Sequence, residues 1–261
     1  MQMGRRVTQL EQEQAFSWDS HPYNLIAARV KASVTPTSTL LDIGCGREAQ
    51  RLRRFVVDAG RGFGVDVDAF TPEALADPRV SLHRVEGDKW PIPSSTIDVA
   101  YSVSVFEHLE RPAEVIAELR RVMRPGGHVH VLTPNRWDYV SLAASLIPNA
   151  LHPWMVARTE GRHAADTFPT FFRANTRRRL ARLVREAGFE VRSIEYRGWA
   201  PTYLAFDHRA FAIGSAYQRA IEKFSATQWL QGWLLASLRV ASPPSGAGEG
   251  VADVRQSLPA S

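Results

Sequence analysis

Short apolar runs alternate with periodic, polar-faced segments along residues 39–135. The run "LLDIG" at 40–44 ends in a turn, as a buried parallel strand does. Similar runs predict further strands at 62–68, 80–88, 96–105 and 128–134. Helices are predicted between these runs, at residues 48–59, from Thr71-Pro72-Glu73 onward and at 112–123. Strands that alternate with helices at this spacing favour a parallel sheet covered on both faces.

The flanking segments predict further elements. Residues 8–33 are expected to be helical, with a break near Ser20-His21-Pro22. Residues 174–196, "ANTRRRLARLVREAGFEVRSIEY", predict a capped helix, a glycine stop and a sixth strand. The segment 229–240 has two interpretations, a membrane-surface helix or a strand, and its single charge, Arg239, disfavours the helix. We favour a last buried strand, with one face formed by Leu234, Ala236, Leu238 and Val240.

The composition is that of an ordinary globular protein of one domain. Hydrophobic residues make up 44% of the 261 residues and charged residues 23%. The net charge of +5 hints at anionic ligands, although a solvated basic surface is the simpler interpretation. The single cysteine, Cys45, excludes an intramolecular disulfide and fits a reducing compartment. We find neither a signal-peptide core nor a run of roughly 18 apolar residues, so we expect a cytoplasmic protein with no stable membrane insertion.

The turn after the first strand, "TLLDIGCGREA" at 39–49, indicates a nucleotide-type ligand. Gly44 and Gly46 let the backbone bend sharply and approach a ligand closely. "GCGREA" also matches the dinucleotide pattern G-x-G-x-x-A, and Asp66 ends the next strand, so NAD is a candidate. Asp42 argues against NAD, because a carboxylate beside the turn would repel a pyrophosphate. It suits a ligand that is cationic at this point, such as S-adenosylmethionine.

Several ordered motifs carry a resemblance to a known family. After "TLLDIGCGREA" come "VEGDKWPIP", "IDVAYSVSVFEHL" and "ELRRVMRPGGHVHVLTPN". With these motifs, residues 39–135 resemble class I S-adenosylmethionine-dependent methyltransferases, of the branch that includes the ubiquinone-pathway O-methyltransferases. The resemblance implies a Rossmann-like, doubly wound α/β fold with a seven-stranded sheet, mostly parallel with the last strand antiparallel. It implies S-adenosyl-L-methionine as the cofactor.

The sequence patterns divide the chain into three parts. Residues 1–38 would form an N-terminal helical cap, and residues 39–240 the methyltransferase domain. Within that domain, residues 135–172 would form a lid over the acceptor. The small, polar tail 241–261 is expected to be disordered.

The resemblance also assigns cofactor contacts. The residues are Asp42, Gly44, Cys45, Gly46, Asp66, Val67, Asp88, Lys89, Ser102 and Phe106. Gly44 and Gly46 would line the methionine portion, whose ammonium group would meet Asp42 through water and the carbonyl of Ser102. Asp66 would accept hydrogen bonds from both ribose hydroxyls. Asp88 and the backbone of Lys89 would meet the adenine, and Phe106 would begin the segment beside the transferred methyl group.

One position departs from the family pattern. Glu48 stands where the family usually has a third glycine, which permits close packing of the helix on the strand. We therefore expect the helix after the turn to start later in this chain.

The chemistry predicted for the acceptor is the removal of a proton from a hydroxyl. His163, in the aromatic-rich stretch 135–172, is the predicted general base, and Asp166 would orient its ring. His108 competes for this role, since "FEH" matches the segment beside the methyl group. No cluster with metal-ligand spacing is visible.

The predicted acceptor is a small molecule, either phenolic or lipid-like, although a sugar or a polyketide fits almost as well. Nothing resembles a nucleic-acid-binding module, and a monomer or a homodimer is expected. Two other functions stay open. One is a non-catalytic S-adenosylmethionine-binding protein, and the other is an NAD(P)-dependent oxidoreductase.

Overall fold

The computed structural model describes residues 6–87, 89–138 and 168–241. The helices are α1 (Gln9–Ala15), α2 (Pro22–Ser33), α3 (Gln50–Phe55), α4 (Pro72–Leu75), α5 (Pro112–Val122), α6 (Arg177–Glu186) and α7 (His208–Lys223). The strands are β1 (Thr39–Ile43), β2 (Arg61–Asp66), β3 (Val80–Arg84), β4 (Ile97–Val103), β5 (Met123–Pro134), β6 (Phe189–Arg197) and β7 (Trp233–Val240).

All the strands join one seven-stranded sheet in the order β3-β2-β1-β4-β5-β7-β6. Neighbours from β3 to β5 pair in parallel. Strand β7 inserts between β5 and β6 and runs antiparallel to both. The predicted fold class is therefore confirmed, including the antiparallel last strand. The strand interpretation of 229–240 is also confirmed, with β7 beginning at Trp233.

Hydrophobic layers cover both faces of the sheet. On one face α5 and α6 pack against the strands through buried Ile116, Leu119, Leu180 and Val184. On the other face α2 and α3 contribute Ile26, Val30, Leu52 and Phe55. Because successive strand residues point to opposite faces, strands buried on both sides are almost wholly apolar. This explains why continuous apolar runs predicted the strands.

The predicted N-terminal helix with a break is confirmed as α1 and α2, separated by a 3-10 turn at Trp18–Ser20. Two bounds differ from the prediction. The helix expected at 48–59 is shorter, since α3 ends at Phe55 and a 3-10 turn follows at Val56–Asp58. Strand β5 already begins at Met123, so the Pro-Gly-Gly segment lies inside this strand instead of ending a helix.

Helix α7 has no counterpart in the sequence prediction. Asp207 caps it, accepting hydrogen bonds from the backbone N–H groups of Arg209 and Ala210. Its buried residues follow a helical period, but Gly214, Ser215 and Gln218 are among them. The buried stripe is therefore not an apolar stripe, and hydrophobic periodicity does not reveal it.

Some predictions fall on residues outside the described ranges. These are Asp88, His163, Asp166, most of the lid 135–172 and nearly all of the tail 241–261. Within the described ranges, no helix is long and apolar enough to cross a membrane.

Candidate cofactor and acceptor site

A cavity of about 730 Å³ lies at the carboxyl ends of the strands. This is where ligands bind in open α/β sheets. Residues after β1 and β2 line one end of it, including Gly44, Gly46 and Asp66. The start of α2 and the segments around Trp199 and Trp233 also line it. The volume fits a cofactor together with a small acceptor, since ligand pockets commonly measure about 300–1,000 Å³.

The two glycines of the first turn serve different purposes. Both have a left-handed backbone, with φ of 71° at Gly44 and 73° at Gly46. A Cβ on Gly44 would lie 2.2 Å from Cγ2 of Val105, so packing of the turn requires glycine there. A Cβ on Gly46 would meet nothing within 4 Å, because this backbone borders open space in the cavity. Gly46 is thus the position at which a ligand can approach the main chain.

The departure at Glu48 has a visible structural consequence. Ala49 precedes α3 with φ of 47°, in the left-handed region, and its side chain is buried. Its N–H donates to the carbonyl of Gly46 at 3.1 Å, which closes the turn. The helix begins at Gln50, so the prediction of a later helix start is confirmed.

Asp66 lies at the end of β2 and lines the cavity. Its Oδ2 accepts the N–H of Gly46 at 2.7 Å, and its Oδ1 accepts the N–H of Asp68 at 3.0 Å. A carboxylate has about four acceptor positions, so each oxygen retains one for a ligand hydroxyl. The next residue, Val67, is half exposed and also lines the cavity. The carboxylate is therefore fixed in a position from which it can accept bonds from a diol.

Asp42 lies behind the turn and is fully buried. Its Oδ2 accepts the hydroxyl of Tyr101 at 3.0 Å, whereas its Oδ1 has no hydrogen-bond partner within the described part of the chain. Burial raises the pKa of this carboxyl to about 7. Asp42 does not itself line the cavity. Its unsatisfied oxygen leaves an acceptor for a bridging water, the form of contact that the family resemblance implies.

Five of the described residues predicted to contact the cofactor do not line the cavity: Asp42, Cys45, Lys89, Ser102 and Phe106. Cys45 packs against Gly64, where a Cβ would approach its Sγ to 2.7 Å, and burial raises the pKa of its thiol. Ser102 is buried within β4, and Phe106 is part of the core. Ser104, with φ of 58°, lines the cavity two residues after Ser102. Sequence reasoning missed Ser104 because the left-handed turn after β4 cannot be read from the residue types.

An apolar wall lies next to Asp66. The N–H of Val85 donates to the carbonyl of Asp66 at 2.8 Å, and Val85, Trp90 and Leu109 line the cavity. Lys89, also predicted to contact the cofactor, is exposed beside this wall. An apolar wall of this kind suits a purine ring. Sequence reasoning did not single out Trp90.

The position of Trp90 is fixed from behind. The backbone N–H of Trp90 donates to Oε1 of buried Glu118 at 2.7 Å. Arg121 bonds the same carboxylate at 2.6 Å and donates to the carbonyls of Trp90 and Ile92. Hydrogen bonds from Arg121 lower the pKa of Glu118, so this carboxylate stays ionised at neutral pH. Glu118 and Arg121 both lie on α5, so this helix fixes the backbone around Trp90 in the apolar wall.

Glu107 and His108 both line the cavity, on the turn after β4. Nδ1 of His108 lies 2.9 Å from the carbonyl oxygen of Pro169, and a carbonyl can only accept. Nδ1 therefore carries the proton, and Nε2 of the neutral ring has its lone pair available. This Nε2 is 3.8 Å from Oε1 of Glu107. A histidine held in this tautomer is a competent proton acceptor.

Glu107 is itself held firmly. It is only 4% exposed, and its Oε2 accepts the hydroxyl of Thr133 at 2.9 Å. Its carbonyl accepts the N–H groups of Phe171 and Phe172. Burial raises the pKa of Glu107, and the neighbouring His108 opposes that rise. A protonated His108 would therefore find a fixed carboxylate beside it.

The acceptor end of the cavity has an aromatic wall, which we define as His21, Tyr23, Trp199 and Trp233. The ring centroids are 4.5 Å apart for His21–Trp199, 5.0 Å for His21–Tyr23 and 5.6 Å for Tyr23–Trp233. Nδ1 of His21 accepts the N–H of Tyr23 at 3.1 Å and so caps α2. Only the tertiary fold brings Trp199 and Trp233 to the start of α2, so sequence reasoning did not find this wall.

The described part of the chain holds no group of three or more His, Cys, Asp and Glu residues that could bind a metal ion.

Comparisons with known proteins agree with this geometry. A family model for a methyltransferase domain matches residues 18–194, more than half of the chain. A Mycolicibacterium smegmatis protein named "Probable S-adenosylmethionine-dependent methyltransferase" is 29% identical over 186 residues, which cover 70% of this chain and 64% of that protein. An uncharacterized 37.1 kDa protein of a Streptomyces fradiae transposon is 31% identical over 166 residues, 61% of this chain and 45% of that protein.

A solved structure shows the same fold. An S-adenosylmethionine-dependent methyltransferase from Mesorhizobium loti superposes with a TM-score of 0.53 at 19% identity, over 85% of this chain and 99% of that one. The chain spans 45% and 64% of the lengths of the two sequence relatives. These matches confirm the family that the motifs predicted and support S-adenosylmethionine, rather than a nicotinamide dinucleotide, as the cofactor. The chain therefore belongs to the methyltransferase-domain family.

Proposed function

We propose that the protein transfers the methyl group of S-adenosylmethionine to a hydroxyl of a small phenolic or lipid-like acceptor. The observation that carries this proposal is the shared cavity. The turn of Gly44 and Gly46, with Asp66, lines this cavity, and so do Glu107, His108 and the aromatic wall. The predicted cofactor residues and a proton acceptor thus border the same cavity.

The chain's own residues fit the cofactor. Asp66 offers acceptor positions for the ribose hydroxyls, and Val85 and Trp90 offer a wall for the adenine. The backbone at Gly46 is open to the methionine portion, and the unpartnered Oδ1 of Asp42 fits a water bridge to its ammonium group. When bound, S-adenosylmethionine supplies a methyl group on a sulfonium, which needs no activation by the protein.

His108 is the general base that the geometry supports best. Its Nε2 accepts the proton of the acceptor hydroxyl, while the bond from Nδ1 to Pro169 holds the ring in orientation. The resulting imidazolium lies 3.8 Å from Oε1 of Glu107, whose negative charge stabilises it. A positioned base of this kind commonly contributes about 10²–10⁴-fold to the rate. His163 with Asp166 stays a competing prediction, since both lie outside the described residues.

The experiment is a screen for S-adenosylhomocysteine release. Purified protein is incubated with S-adenosylmethionine and a panel of phenols, prenylated phenols and sugars, and the release with each acceptor is compared with the release without one. We expect acceptor-dependent release with at least one hydroxyl compound, and none after that hydroxyl is replaced by hydrogen. Tight cofactor binding without release from any acceptor would contradict the proposal and favour a non-catalytic binding protein.

A further inference from the structure

Residues 168–175 wrap around the turn that carries Glu107 and His108. The N–H groups of Phe171 and Phe172 donate to the carbonyl of Glu107 at 2.8 and 3.1 Å. Phe172 does so with φ of 50°, and a left-handed backbone is uncommon for a bulky residue and marks a local constraint. The segment is therefore tied to this turn through the main chain.

Asn175 ties the same segment to β5 through its side chain, which is fully buried. Its Nδ2 lies 2.9 Å from the carbonyl oxygen of Pro134 and 2.7 Å from Oγ1 of Thr133. A carbonyl can only accept, so the amide nitrogen, and not the amide oxygen, faces both atoms. Oδ1 of Asn175 is buried and has no hydrogen-bond partner within the described residues. An unpaired buried acceptor costs stability, so the two bonds from Nδ2 outweigh the loss at Oδ1.

The orientation of this amide fixes the direction of the next hydrogen bond. Thr133 is fully buried, and its Oγ1 accepts from Nδ2 of Asn175. The hydroxyl has a single proton to donate, and the other partner that the structure gives it is Oε2 of Glu107, at 2.9 Å. The proton of Thr133 therefore points to Glu107. A hydrogen bond donated to a carboxylate favours its ionised form.

This series of hydrogen bonds ends beside the proposed base. Oε2 of Glu107 accepts from Thr133, while Oε1 of the same carboxylate lies 3.8 Å from Nε2 of His108. Burial raises the pKa of Glu107, and its hydrogen bonds and the neighbouring His108 oppose that rise. Without the bond from Thr133, the buried carboxyl would keep its proton to a higher pH.

Apart from the neighbouring histidine, no charged group in the described part of the chain bonds Glu107. Arg173, on the segment that wraps around the turn, donates instead to the carbonyl of Glu110 at 2.6 Å. Arg111, at the start of α5, pairs with Glu114. The other ionisable residues of the described lining are not hydrogen-bond partners of this carboxylate, and they are His21, Tyr23, Asp66, Asp68, Asp138 and Tyr203.

We propose that Thr133 and Asn175 are positioning residues for methyl transfer, which hold Glu107 ionised and turned toward His108. The imidazolium that forms at the base then meets a fixed negative charge. This inference rests on the proposed function, in which His108 takes the proton of the acceptor hydroxyl. Neither Thr133 nor Asn175 lines the cavity, so both act through Glu107 and not on the substrate.

The first test needs no acceptor and no cofactor. The side-chain carboxyl carbon of Glu107 is followed by NMR as the pH is varied, in protein labelled with ¹³C-glutamate, and Glu107→Gln assigns its signal. Thr133→Val keeps the shape of the side chain and removes the hydroxyl, whereas Thr133→Ser keeps the hydroxyl. A bond to a carboxylate changes its proton affinity at least about tenfold. We therefore expect the titration midpoint of Glu107 to rise by about one pH unit in Thr133→Val and to keep its wild-type value in Thr133→Ser.

Two further variants locate the effect. Asn175→Leu should raise the midpoint by a smaller amount, because the hydroxyl of Thr133 is then no longer directed to Glu107 but can still donate to it. Ser33→Ala is the control, since Ser33 bonds Nε2 of His130 at 2.9 Å and does not contact this network. It should leave the midpoint unchanged. The two Thr133 variants decide the proposal even where Asn175→Leu does not fold.

The second test measures the single-turnover rate of methyl transfer against pH, with a hydroxyl acceptor found in the screen. Thr133→Val should move the acidic limb of this curve to higher pH by about the same one unit, and Thr133→Ser should leave it in place. The dissociation constant for S-adenosylmethionine should stay unchanged in both variants. A merely structural defect would lower the rate equally at every pH.

A Glu107 midpoint that is the same in Thr133→Val as in the wild type would overturn the inference, and so would an equal rise in Thr133→Ser. If hydroxyl acceptors are methylated but the acidic limb does not move, the positioning role alone is wrong. If no hydroxyl acceptor is methylated, the proposed function fails, and the inference fails with it, whatever the midpoint shows.

Discussion

Replacing Asp66 by alanine tests the cofactor end of the cavity. The change removes the carboxylate that is fixed by the N–H groups of Gly46 and Asp68 and that is predicted to accept both ribose hydroxyls. Hydrogen bonds to a charged group contribute about 1.5–3 kcal/mol each. Loss of one such bond already weakens binding about tenfold, and loss of two at the lower value weakens it about 100-fold. We therefore expect the dissociation constant of S-adenosylhomocysteine to rise about 10- to 100-fold.

The assay is titration calorimetry at neutral pH, with circular dichroism and the melting temperature as checks on folding. Asp68→Asn is the matched control, because Asp68 also lines the cavity but pairs with the half-exposed Arg47. Exposed ion pairs contribute about 0–1 kcal/mol, so this variant should bind within about fivefold of the wild type. A folded Asp66→Ala protein whose affinity stays within about threefold of the wild type would refute the role of Asp66.

Further predictions concern stability and the cavity wall. Burial lowers the pKa of His130 from 6.5 to about 4, so the unfolded chain takes up a proton first as the pH falls. As measured by urea unfolding, the contribution of His130 to the free energy of unfolding should be about 2 kcal/mol smaller at pH 5 than at pH 7.5. The variant His130→Gln should not show this change. Gly44→Ala should lower the free energy of unfolding by about 2–4 kcal/mol, because its Cβ would overlap a neighbouring side chain and its φ is positive. Gly46→Ala should cost only about 1 kcal/mol, and an equal loss in both alanine variants by the same urea assay would contradict the packing argument. Glu118→Gln should weaken S-adenosylhomocysteine binding by loosening Trp90, and calorimetry that shows unchanged affinity in a folded variant would contradict this role.

The sequence predicted the strands well because physics ties them to continuous apolar runs. Strands such as β1 and β4 are buried on both faces, so most of their residues are apolar, with buried Asp42 and Ser102 as exceptions near their carboxyl ends. The first turn was also predicted from the sequence, since Gly44 has a left-handed backbone that few other residue types adopt. Helix α7 was missed because its buried face includes Gly214 and Gln218, which break the apolar period.

The acceptor end could not be predicted for a different reason. His21, Trp199 and Trp233 are far apart along the chain and meet only through the antiparallel insertion of β7 and the packing of α2. The exposure of Ser104 to the cavity also depends on tertiary structure, because the pairing of β4 with β5 decides where the strand ends. The proposal that His108 is the base depends on a single hydrogen bond, from Nδ1 of His108 to the carbonyl oxygen of Pro169, which no residue pattern encodes.

The most direct test of the account is a single-turnover measurement of methyl transfer from labelled S-adenosylmethionine to a hydroxyl acceptor found in the screen. His108→Ala should transfer the label at least about 100-fold more slowly than the wild type at neutral pH, while its dissociation constant for S-adenosylmethionine stays unchanged. A rate within about threefold of the wild type, too small a change for a general base, would contradict the central role of His108 in the cavity.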